Sequence, residues 1–266
     1  RNPVNRSQGI SAWLHLYLFP DPNGRSGDRR ISIEDIADAF QKGSMSTKSY
    51  SVPMDAVYSS GLGFCARQAG STEARILGLT AEIRYDGWVS FCVPINVLPA
   101  NRLSNEYDSL AEFIEILRSS NHQDVPVADL SSLSVSVIAL LNQLLHLKDA
   151  VQDHRDLYAG FEVSGIQGVI PYVDSSSYLT RIKRFGLPVS HIENHRFPAG
   201  DPNIETLVEL EYPPYDDSND LHRAGARSLI LAGPLLNLIL AVTGATAGVD
   251  DIQLEDFRLN RHSSKD

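Results

Sequence analysis

The sequence is short of most features that mark a catalytic or secreted chain. Only Cys65 and Cys92 occur in 266 residues, too few for a disulfide-built secreted scaffold. Each lies among apolar neighbours, in GFCAR and SFCVP, the setting of a buried, reduced thiol. A bridge between them stays open at this point, and the expected compartment is the cytoplasm. Basic charge is scarce too: 23 Lys and Arg stand against 33 Asp and Glu, a net charge of −10 and a pI near 5.2. That balance argues against a face built to neutralise phosphates. The two basic runs, GRSGDRR (24–30) and RIKRF (181–185), read as solvated surface. Repeats and low-complexity tracts are missing, so neither a solenoid nor a linker is expected. The chain starts Arg-Asn-Pro with no charged segment leading into an apolar run. The expectation is a piece of a longer protein, without a signal peptide.

Long hydrophobic runs are limited to one region. No charged side chain lies between Arg227 and Asp250, yet Gly233-Pro234 and Asn237 interrupt that stretch. Pro234 suits the first turn of a helix and Gly244 its end. The expected helix, 234–243, would be about 15 Å long, half of a bilayer's hydrocarbon. It is read as a buried, Leu-rich core helix near the C-terminus, not a membrane span.

What is present reads as an α+β chain. SAWLHLYLF (11–19) alternates, with bulk on both faces, and fits an inner strand. SIEDIADAFQKG follows as a helix, with Ser32 as cap, Asp35 as the capping-box acid and Gly43 as its close. In 74–95 two strands are expected to turn back at Asp86-Gly87. Helices are expected over 104–120, with Leu110, Phe113, Ile114 and Leu117 as stripe, and over 131–151. Strands at 157–163, 166–173, 187–193 and 206–211 and a last helical region at 218–243 complete the order β-α-ββ-αα-ββββ-α. The predicted architecture is a mixed or antiparallel sheet packed with three to four helices. It forms two subdomains, 1–150 and 151–266, or one domain sharing a sheet.

Few constellations carry chemistry. HIENH (191–195), read as a strand, would project His191, Glu193 and His195 to one side, a weak metal site without a further partner nearby. It departs from the helical H-E-x-x-H pattern. Asp216 and Asp217 in YDDSNDLH could join a divalent cation, although acids before a helix are better explained as caps. SSGLGF and SGIQGV lack the third glycine or G-K-[ST] of a phosphate loop, and no G-x-S-x-G elbow exists. No catalytic residue and no cofactor are expected. Trp13, Tyr17, Tyr85 and Trp88 could line a ligand pocket, although a place in the core or the hairpin is the better explanation of them.

LYAGFEVSGIQGVIPYVD, then FGLPVSHIENHRF, then LVELEYPPYDDSNDLHRAGA leading into the last helix, resemble a known order of features. It is similar to the C-terminal region of bacterial DNA-binding proteins that carry an N-terminal Schlafen-type AlbA_2 domain; residues 166–168 and 187–193 carry the match. The resemblance implies an accessory half, with any nucleic-acid role in a preceding part. The expected function is a non-catalytic regulatory, sensing or protein-interaction module, through a protein partner or self-association and without membrane contact. The alternatives are a metal-dependent hydrolase or nuclease, or a membrane-associated protein.

Overall fold

The computed structural model describes residues 12–24, 31–43, 45–46, 54, 56–68, 79–103, 105, 107–200, 203–213, 221–252 and 258–259. Its centre is strand β1 (Ala12–Pro20). Leu14, Leu16 and Leu18 are fully buried on one face, while Trp13, His15, Tyr17 and Phe19 are half-buried on the other. β1 pairs antiparallel with β6 (Val89–Ile95) on one side and β9 (Leu157–Ser164) on the other. It is thus an inner strand with unequal faces. β5 (Thr80–Arg84), β4 (Gly63–Arg67) and β3 (Ala56–Ser60) extend the sheet beyond β6. β11 (Asn194–Phe197) and β12 (Val208–Leu210) share the far edge along β9. Strands from both sides of residue 150 therefore lie in one eight-stranded sheet.

Helices cover the leucine face. α3 (Leu130–Val151) contacts β6, with α1 (Ile33–Lys42) and α5 (Leu221–Val242) packed against it. The α1 capping box forms as expected: Ser32 Oγ accepts from Asp35 N, and Asp35 accepts from Ser32 N. A smaller mixed sheet joins β10 (Ile170–Tyr172), β8 (Val127–Asp129) and β7 (Val97–Leu98). α2 (Leu110–Ser119) and α4 (Ser176–Phe185) pack against each other. β2 (Met45–Ser46) and β13 (Arg258–Leu259) form a short separate pair.

The fold is α+β, with three corrections. The most buried apolar helix is α3, not a helix near the C-terminus. Its length and composition would suffice to cross a membrane, and 89% of its most apolar window is buried inside the protein. Pro234 does not open a helix but sits inside α5. It is tolerated there because the ring occupies an exposed position, on a stripe with Ile230 and Ala241, where the lost N–H bond leaves less buried backbone unsatisfied. Lastly, 187–193 is no strand. Its backbone bonds cross to the turn after β9: Gly168 N donates to Ser190 O, Ser190 N to Val169 O, and Gly165 N to Glu193 O.

Both cysteines are free and half-buried, not buried. In a strand, the residue between two core-facing neighbours points away from the core. Cys92, between Phe91 and Val93, and Cys65 therefore face the side of the sheet opposite the leucine core, and they lie two strands apart. That separation is about 10 Å, too far for a disulfide.

The end of α1 touches α3 through Gly43. A Cβ there would fall 2.6 Å from Gln143 Cα, and Asn142 Nδ2 donates to Gly43 O at 3.0 Å. The atoms such a Cβ would meet, Gln143 Cα and N and Ala39 O, are all backbone, so Gly43→Ala is expected to cost about 1–3 kcal/mol in urea unfolding. An unchanged midpoint would show that the two helices can part freely.

Candidate functional site

The site is built where three distant segments meet at one end of the sheet. The first is the end of β1. The second is the β5–β6 turn, in which Arg84 N donates to Trp88 O (2.8 Å), Gly87 N donates to Arg84 O (3.0 Å), and Gly87 has φ of 89°. This is a three-residue loop, Tyr85-Asp86-Gly87, with a left-handed glycine at its end. It differs in detail from a two-residue Asp-Gly turn, but the strands reverse where expected.

The third segment follows α3. Gln152 takes the left-handed conformation (φ 58°), Asp153 N donates to Lys148 O and Gln152 N to Asp149 O. This double bond pattern closes a helix and reverses the chain. It sets Asp153 beside Lys148 and presents Arg155 to the sheet. Asp153 receives Arg155 Nε at 2.8 Å and Nη2 at 2.7 Å, and Lys148 Nζ lies at 3.5 Å. All three side chains are buried, with 6% of Lys148, 12% of Asp153 and 11% of Arg155 exposed. Burial works to raise the Asp153 carboxyl, but the Arg155 hydrogen bonds and the Lys148 charge outweigh it and hold it below its ordinary range. Burial also lowers Lys148, against the pull of Asp153. Gly24 and Gly87 leave room for the guanidinium: a Cβ on Gly24 would meet Arg155 Cγ at 2.6 Å, and one on Gly87 would meet Nη2 at 3.1 Å.

Behind this triad, Tyr212 packs its ring near Lys148 Nζ (5.5 Å) and Arg227 (5.7 Å). Its hydroxyl donates to Asp149, which Arg227 also grips, Nη1 to Oδ2 at 3.0 Å. The box ties the end of α3 to β12 and α5.

Together these segments border an open cleft of about 520 Å³, lined by Phe19, Pro20, Pro22, Arg84, Asp86, Trp88, Arg155, Ile204 and Leu207. Its outer wall comes from the excursion between β11 and β12. The two strands pair with opposite halves of β9 and leave Gly160 between them. A Cβ at Gly160 would sit 3.1 Å from Leu207 Cδ2 and 3.0 Å from Phe197 O, so a bare backbone lets the excursion cross there. Trp88 is flanked by Tyr17 (centroids 6.5 Å, 25°) and Phe19 (6.2 Å). Arg84 lies over its ring at 5.5 Å and pairs loosely with Asp86 at 3.3 Å.

Of the four candidate pocket aromatics, Trp88 lines this cleft and Tyr17 stacks against Trp88. Trp13 sits near the other end of β1, roughly 20 Å away. Tyr85 is exposed, edge-on to Phe64. Of the metal candidates, only His195 lies in a strand, and its register partner Val163 faces the core. His191 and Glu193 precede that strand and are exposed, and Asp216 and Asp217 lie outside the described residues. Among the described residues, no group of three or more His, Cys, Asp or Glu is placed to hold a metal. The basic run at 181–185 belongs to α4, where Arg181 pairs with Asp251 and Lys183 with Glu112; residues 25–30 of the other run are outside the described residues. No protein-family model, curated protein or solved structure matches the chain.

Proposed function

We propose that the chain is a non-catalytic sensing and regulatory module of a larger, cytoplasmic bacterial protein, and that its signal is a small molecule taken into the Trp88 cleft. The cleft itself is the observation that carries the reading. A volume of about 520 Å³ suits a small organic ligand. Its lining offers stacking surface, two guanidinium groups and one carboxylate, a set suited to binding and charge pairing. The ligand would contact β1, the β5–β6 turn, the segment after α3 and the β11–β12 excursion at once. Filling the cleft therefore couples four segments that are distant in sequence, which is what a sensing module requires. Under the resemblance described above, any nucleic-acid role belongs to the part preceding this chain, and this module reports ligand status to it.

The test is thermal unfolding against a library of small aromatic and apolar compounds. A true ligand at 100 times its Kd adds about 2.7 kcal/mol, a rise of several degrees for a chain of this size. Trp88→Ala is expected to abolish that rise. If every compound shifts wild type and Trp88→Ala alike, the cleft is not a sensor.

A further inference from the structure

We propose that the cleft selects a flat aromatic carboxylate, with its ring between Trp88 and the Ile204–Leu207 wall and its carboxylate on Arg84 and the remaining Nη1 of Arg155. This rests on the sensing reading and goes on to name the ligand's chemical class.

Shape sets the first requirement. Phe19, Pro20, Pro22, Trp88, Ile204 and Leu207 give the cleft a mostly apolar lining. Aromatic side chains and proline rings favour a flat partner, which gains contact area while losing little freedom.

Charge sets the second. The lining carries Arg84 and Arg155 against Asp86. Arg155 is fixed: Asp153 takes its Nε and Nη2, which leaves Nη1 for a further acceptor. Asp153 also faces Lys148, and Asp21, Asp86 and Asp156 act on the same two cations, so the site favours an anion through the remaining Arg155 Nη1 and not through net charge. Arg84 is the exchangeable member. Its pair with Asp86 is 3.3 Å long, with 39% and 60% of the two side chains exposed, and such surface pairs contribute little. A ligand carboxylate can replace Asp86 and accept two parallel N–H bonds from the guanidinium, a stronger and more directional arrangement. As the ring covers Trp88 and excludes water, that bond strengthens further. A cationic ligand would have to claim Asp86 and strand Arg84 beside Arg155. The site therefore discriminates by sign as well as by shape.

The experiment is titration calorimetry on the 266-residue chain with 2-naphthoate, its neutral amide 2-naphthamide, the cation 2-naphthylmethylamine and the aliphatic acid hexanoate. The acid is expected to bind at least about tenfold more tightly than the amide, a difference of about 1.4 kcal/mol, and more tightly than the amine or hexanoate. Arg84→Gln should reduce the preference for acid over amide, with Arg155 Nη1 still in place to hold part of it; Trp88→Ala should weaken both. Raising the salt concentration should weaken the acid and leave the neutral amide unchanged. If the amide binds as tightly as the acid, or the amine more tightly, the carboxylate assignment fails while the sensing reading stands. If none of the four binds but other library compounds raise the melting temperature through Trp88, the assignment also fails alone. If nothing enters the cleft, both fall.

Discussion

Asp153→Ala is expected to destabilise the chain by about 3–5 kcal/mol, because it strands two buried cations. Asp153 is the shared acceptor for Arg155 and Lys148, and none of the three side chains is more than 12% exposed. Removing one partner of a buried pair leaves an uncompensated charge, and that loss exceeds what the intact pair contributes. Arg155 can turn toward Asp21 or Asp86, whose charges already favour it, so the lower half of the range is the better expectation. The partner substitution behaves oppositely. Lys148→Met removes a cation whose burial is costly, keeps the Arg155–Asp153 bonds, and is expected to be neutral or mildly stabilising. Urea unfolding of both variants checks the contrast; two equal losses would mean that the triad acts only as packing. There is also a pH signature. A carboxyl held below its usual pKa contributes stability that is complete above about pH 4 and is lost as pH falls through the folded value. Wild type should therefore lose more stability between pH 5 and 3 than Asp153→Ala, with the Asp153 share of the slope missing from the variant.

The second large effect is expected at Asp129. This carboxyl is only 4% exposed and caps α3, with Ser132 N donating to Oδ1 at 3.0 Å. Its other oxygen receives Tyr107 OH at 2.6 Å and Ser132 Oγ at 2.7 Å. Burial raises the Asp129 carboxyl against the pull of these donors, so the charge is held at a cost. Asp129→Ala removes the cap, about 1 kcal/mol, and two charge-assisted bonds of about 1.5–3 kcal/mol each. Relief of the desolvation cost and the remaining Tyr107–Ser132 contact at 2.8 Å offset part of this. The net expectation is about 3 kcal/mol, or roughly 6–12 °C in Tm for a chain of this size. Asp129→Asn keeps the acceptor for Ser132 N, and both hydroxyls can rotate to accept from its amide, so about 1 kcal/mol is expected. An Asn loss as large as the Ala loss would show that charge, not bond count, holds this junction.

Local signals in the sequence carry their structure on their face, and distant ones do not. The capping box of α1, the leucine alternation of β1 and the reversal at Tyr85–Gly87 each involve residues within a few positions. Their physics is complete in the sequence. α4 was missed although Ser175 caps it through Tyr178 N and Tyr178, Leu179 and Ile182 fall on its buried side. The charges of RIKRF drew attention to the solvated face instead. β3 and β4 were hidden in a Ser- and Gly-rich stretch where backbone pairing, not side-chain periodicity, makes the hairpin. The false strand at 187–193 shows the converse. Alternation was there, but Pro188 offers no donor, and the neighbouring glycine turn claimed the backbone. In the cleft, Trp88 could be suspected from its place beside a hairpin turn. Arg155, Ile204 and Leu207 could not. They meet Trp88 only because β9 pairs with β1 across about 140 intervening positions, and no short-range pattern encodes that pairing.

The shared edge of β9 has one further consequence. β11 and β12 each seat on their own half of that strand, so the ladder does not depend on what the chain does between them. Substitutions at 203–206 that keep Leu207 over Gly160 are expected to leave both pairings in place. Under the sensing proposal, ligand preference would then be detachable from folding, carried by a single visor while the frame beneath stays the same.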